Sequence, residues 1–201
     1  MLAHHRAARL TLLSVHAALF YRPGDRLSLS ELSAARLDGH VIEVGEGYMP
    51  VDTVEGRDAR ATSIADLVTP RLAACGRTAA WIHGAGDQPP AVHHVRRVSA
   101  SRFRSQRSFR VVFHERRLPP EEVMQIAGIA VATPLSAAVE MLFQSVIEHA
   151  DDRWLRALLL ADPGLGCRAL AHVEQLPRRP GRRLGLNLLA EIISAQDVVT
   201  R

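Results

Sequence analysis

Lysine is absent from this chain: all 25 basic residues among its 201 are arginine. That excludes a Schiff-base lysine, a Gly-Lys-Ser/Thr phosphate loop and the lysine of a PD-(D/E)xK nuclease. Arginine holds its charge and does not act as a base near neutral pH. Aromatic residues make up only 4% of the chain. The core must therefore be built from Leu, Val, Ile and Ala, and a base-stacking platform for single strands is poorly supplied. The two cysteines, Cys75 and Cys167, lie far apart with no C-x-x-C. Such spacing gives neither a disulfide framework nor a zinc motif and reads as two reduced core thiols. No run of eighteen apolar residues occurs, and the N-terminal "MLAHHRAARLTLLSVHAALFY" lacks a long apolar stretch and a small-residue cleavage site. No membrane span or leader is expected, and the cytoplasm is the expected compartment.

Charge is present, and it is uneven. The formal net charge is +4. Residues 95–117, "VRRVSASRFRSQRSFRVVFHERR", hold eight arginines against one acid, Glu115, a net +7. The flanks are mildly acidic. A patch of this kind attracts polyanions or acidic proteins better than the same charge spread evenly. On a strand, Phe109, Val111 and Phe113 would share one face, with Arg110, Val112 and His114 on the other. Arg102 and Arg104 would also share a face. The candidate nucleic-acid contacts are therefore Arg96, Arg97, Arg102, Arg104, Arg107 and Arg110, holding phosphates without reading sequence. The same residues also read as the wet face of a small sheet, or as an edge guarded against aggregation. "RRPGRR" at 178–183 is a smaller patch of the same sort.

Catalytic and metal patterns are weak. No G-x-S-x-G is present, and the acids form no acid/base pair. Asp151 and Asp152 are most simply helix caps. His93 and His94, as strand neighbours, point to opposite faces and do not ligate one ion together. A trio of His83, His94 and His114 is imaginable, but no spacing requires it. Neither a metal site nor any other cofactor is expected.

Periodicity divides the chain. Helices are expected at 3–21 and, opened by Ser30, at 30–38, ended by Gly39. "HVIEV-GEG-YMPV" reads as a hairpin. A helix follows at 57–68, then a further one capped by Thr69 with Pro70 at its first position. "RTAAWIHGAG" is a short helix closed by Gly84. "AVHHVRRV" and "SFRVVFHE" read as strands, and "EVMQIAGIAVAT" as a hairpin turning at Gly128. Thr133-Pro134 starts the strongest helix, with Leu135, Ala138, Val139, Leu142, Phe143, Val146 and Ile147 in one stripe. Helices follow from Asp151 or Asp152, at 166–175, and through Leu188–Ile193. The expected class is α+β: a small antiparallel sheet in the middle of the chain, flanked by N-terminal and C-terminal helices. The expected division is 1–56, a truncated winged-helix-like region, and 57–201, an α+β domain.

"LDGHVIEVGEGYMPVD", "RTAAWIHGAG" and "VMQIAGIAVATPLSAAVEML" together resemble the AbiEi family of antitoxins of type IV toxin–antitoxin systems. The matching features are Gly47-Tyr48 in the first hairpin, Thr78-Ala79-Ala80-Trp81 to Gly84 in the short helix, and Gly128 to Leu135 in the second hairpin. The likeness covers roughly 27–160 and is nearest to short actinobacterial members. It implies a non-enzymatic protein that represses its own operon by binding double-stranded DNA. It also implies opposition to a nucleotidyltransferase-type toxin without a stable toxin complex being required. The chain departs from the family pattern in two places. A winged helix has three helices before its wing, and two are expected here. The family's Arg after Pro-Leu and its later Asp are replaced by Ser136 and Glu140. The DNA contacts therefore fall to the central arginines. The alternative reading is a protein-interaction module of the same family that has lost DNA binding. A His- or metal-dependent enzyme is the third reading.

Overall fold

The computed structural model describes residues 20–100 and 108–199. The chain divides into two compact units. Among the described residues, the first unit takes 20–69 with 125–129, and the second takes 70–100, 108–124 and 130–199.

In the first unit, helix α1 (Leu29–Leu37) starts at Ser28, two residues before the expected Ser30. Ser28 N–H donates to Glu31 Oε2 at 2.7 Å, and Glu31 N–H donates back to Ser28 Oγ at 3.3 Å. This reciprocal box satisfies two amides that a helix start otherwise leaves open. The bond to the Ser28 backbone lowers the Glu31 pKa. Strands β1 (Val41–Val44) and β2 (Gly47–Pro50) form the expected antiparallel hairpin, with Val44 opposite Gly47. Tyr21 bridges to Tyr48 through two backbone bonds of 2.8 and 2.9 Å. Leu32, Val41 and Tyr48 form the core, with Tyr21, Leu27 and Ala35 packed on it. Helix α2 (Arg57–Ser63) and a 3-10 turn at Ala65–Leu67 replace the single helix expected over 57–68. Arg22 ties this end down, reaching Thr62 O at 2.8 Å and Asp66 at 3.1 Å. The helix expected at 3–21 lies, apart from its last two residues, outside the described residues. Of those two, Phe20 lies outside any helix and Tyr21 forms the bridge to Tyr48.

A five-stranded sheet follows, in the order β5-β4-β3-β7-β6. Its strands are β3 (Leu72–Ala74), β4 (His93–Arg97), β5 (Val111–His114), β6 (Val123–Ile126) and β7 (Ile129–Ala132). The α+β class is as expected, but the sheet is mixed where an antiparallel one was expected. β3 pairs antiparallel with β4 and parallel with β7, while β4 and β5 run parallel. Parallel neighbours cannot be joined by a tight turn, so the chain has to return to the start of the sheet between β4 and β5. β3 itself corrects the helix expected after Thr69-Pro70. Its three residues are all buried, and burial on both faces erases the alternation that marks a half-exposed strand.

The helices of this unit are α3 (Gly76–Ile82), α4 (Pro134–Ile147), α5 (Arg153–Ala161), α6 (Leu165–Gln175) and α7 (Arg182–Val199). α4 begins as read from Thr133-Pro134: the Thr133 side chain accepts from Ser136 N–H, with Pro134 in the first turn. It buries Ala137, Ala138, Met141, Leu142 and Phe143. Trp81, Ile82, Leu118, Leu155, Leu158, Leu165 and Leu189 complete a core with no exposed surface at these positions. α6 and α7 pack on each other and on α4.

Candidate functional site

The alternation of β4 separates the expected arginines. His93, Val95 and Arg97 share one face; His94 and Arg96 share the other. Arg97 stands opposite Leu72 at the end of the strand, where its guanidinium reaches Ala100 O at 3.2 Å. Arg96 turns inward to Glu140 on α4, and the two side chains are 13% and 6% exposed. Arg110 is exposed and immediately precedes β5. Arg102, Arg104 and Arg107 lie outside the described residues. Phe109, expected on an apolar face, is 94% exposed, because the strand begins only at Val111.

Where β4 ends, three arginine-bearing segments converge. Val98 N–H donates to Arg71 O at 2.9 Å, Leu118 N–H to Arg97 O at 2.8 Å, and Arg117 Nε to Val98 O at 3.1 Å. Arg71, Arg116 and Arg117 are exposed and Arg97 is partly so. The backbone thus brings Arg71 and Arg117 to the strand end from which 98–110 departs.

The opposite face carries a buried polar cluster that sequence reasoning missed as a group. Glu140 accepts from the Arg96 guanidinium on Oε1 and from Gly76 N–H on Oε2 at 3.2 Å. Burial outweighs the Arg96 charge and raises the carboxyl pKa above its ordinary value. Cys75, at the junction of β3 and α3, is fully buried. Burial, and then the Glu140 charge, push its thiol well above the usual range. His94 and His114 stack with ring centroids 5.2 Å apart, and His94 Nδ1 lies 3.0 Å from His114 Nε2. Burial, then the His114 charge, lowers His94 to about 4; burial, then Arg96, lowers His114. Ligand atoms of Cys75, His114 and Glu140 all lie within 4.8 Å of one another. Two members of the imagined histidine trio therefore do meet. The third does not: His83 Nε2 lies 2.8 Å from Ala132 O.

Arg96, His114 and Glu140 also line a groove of about 1050 Å³ between the end of β5 and the outward side of α4. Leu135, Val139, Phe143 and Ile147, one flank of the stripe read from the sequence, form its apolar side. Arg179 covers the Phe143 ring at 3.7 Å. Acids and arginines both line this groove, so it has no single sign of charge.

The mixed sheet, the short α3 and the capped α4 define an α+β domain in which Glu140 accepts from Arg96 and Gly76 N–H and His94 stacks on His114. Residues 72–150 match the family model of the AbiEi antitoxin C-terminal domain. No curated protein matches the chain. No helix among the described residues is long and apolar enough to cross a membrane.

Proposed function

We propose that the chain is a non-enzymatic, antitoxin-like transcriptional regulator. It binds double-stranded DNA through Arg97, Arg102, Arg104, Arg107 and Arg110, and it counters a nucleotidyltransferase-type toxin. The observation that carries this reading is the net +7 of residues 95–117 within a segment that matches an antitoxin domain. Arg71 and Arg117, drawn to the end of β4, extend the basic surface. Arg96, one of the six residues expected at first, is left out of the contact set because Glu140 already neutralises it.

A mobility-shift titration with promoter DNA at rising salt tests the reading. The wild type shifts DNA at low salt and weakens steeply as released counterions are opposed. Replacing Arg102, Arg104 and Arg107 together by alanine lowers affinity and flattens the salt slope by about 0.9 per lost phosphate contact. No shift at low salt, or equal shifts for both proteins, defeats it. A second reading, an interaction module without DNA binding, draws on the mixed-charge groove beside α4. It would be favoured by arginine-dependent capture of an acidic partner in the absence of any DNA shift.

A further inference from the structure

We propose that Cys75, His114 and Glu140 form a binding site for a zinc-type divalent cation. The three come from separate places in the chain: the junction of β3 and α3, the end of β5 and the middle of α4. Only the fold brings their sulfur, nitrogen and oxygen donors within 4.8 Å of one another. A tetrahedral zinc with ligand bonds of about 2.0–2.3 Å separates its ligands by roughly 3.3–3.8 Å. Each side chain therefore has to close by less than about 1 Å to reach those bond lengths.

The donor set selects the metal. A thiolate with an imidazole and one carboxylate suits zinc, whereas magnesium and calcium prefer oxygen donors throughout. The neighbours supply the support that metal ligands ordinarily have. Arg96 and Gly76 N–H hold the Glu140 carboxylate. His94, 3.0 Å from His114 Nε2, fixes the orientation of that ring. An entry path exists as well, since His114 and Glu140 line the open groove while Cys75 lies buried behind them. On binding, the thiol loses its proton to solvent and the sulfur electron pair goes to the metal. Imidazole and carboxylate each donate a pair already present, so one proton is released per ion.

The test uses the full chain, stripped with a chelator and titrated with Co²⁺ as a spectroscopic probe, then with Zn²⁺. The expected result is one equivalent of cobalt with a thiolate-to-cobalt charge-transfer band that Zn²⁺ abolishes, and a higher Tm for the zinc form. Cys75→Ser removes the band, Glu140→Gln weakens binding about tenfold or more, and Cys167→Ser, at the exposed cysteine, changes nothing. Absence of a charge-transfer band in the wild type overturns the proposal. So does a band that disappears with Cys167→Ser and survives Cys75→Ser.

Discussion

Arg96 and Glu140 meet across the sheet-to-helix interface largely shielded from solvent, their side chains 13% and 6% exposed. A buried pair of this kind is worth little against apolar residues of like volume, yet removing one partner strands the other charge. Glu140→Ala should therefore destabilise the protein by about 3–5 kcal/mol. Replacing both residues by well-packed apolar side chains should recover most of that loss. Urea unfolding of the two variants checks this. Equal destabilisation by the single and double changes contradicts it.

Stability should fall as the medium is acidified. Burial, followed by the Arg110 charge, depresses His93 to about 4, and burial also depresses His94 to about 4, against 6.5 in the unfolded chain. The fold favours both neutral rings, so at these two sites the unfolded chain binds more protons throughout that window. Their contribution is present above about pH 6.5 and is lost as pH falls toward 4. The urea midpoint should drop across this range, with uptake of up to about two protons on unfolding. His94→Gln should reduce the slope. A midpoint independent of pH in this window contradicts the assignment.

The turn between β6 and β7 offers a stabilising change. Ala127 and Gly128 both have positive φ, 48° and 85°, the arrangement of a two-residue I′ hairpin turn. Glycine adopts it freely, whereas alanine is strained there by about 1–2 kcal/mol. Ala127→Asn, which creates the preferred Asn-Gly pair, should raise stability by about 1 kcal/mol and raise the Tm measurably. An unchanged or lower Tm counts against the turn geometry.

Gly47 should tolerate no side chain. A Cβ there would overlap the Phe20 ring and lie 2.7 Å from the Tyr21 carbonyl oxygen. That carbonyl accepts from Tyr48 N–H at 2.9 Å, so the backbone cannot retreat without breaking the bridge. Gly47→Ala should cost about 1–3 kcal/mol or more, read by thermal unfolding. A neutral result would place Phe20 and Tyr21 elsewhere.

How much of this was legible depended on whether the signal was local. α4 was readable because Thr133, Pro134 and a long apolar stripe all act within one helix. The Gly128 turn and the Gly39 stop were readable for the same reason, since each requires positive φ. β3 was not. It is three residues, two of them alanine, directly after a proline that equally suits a helix start. The parallel pairing of β4 and β5 was hidden because both strands look alike in either orientation. Among the site residues, the basic stretch was visible as composition, but the inward turn of Arg96 followed from a partner on α4. Cys75 and Glu140 carry no spacing motif, and only the pairing of β3 with its neighbours brings them to His114.

The position of β3 has a consequence for biogenesis. β3 lies between β4, which follows it closely in the chain, and β7, which comes from much later. A nascent polypeptide whose β7 has not yet left the ribosome leaves one side of β3 with open amides and carbonyls beside buried apolar side chains. Such an edge recruits foreign strands. Translational pausing or truncation ahead of residue 129 should therefore yield insoluble product, while the full chain, with β7 paired and the later helices closing the core, should not.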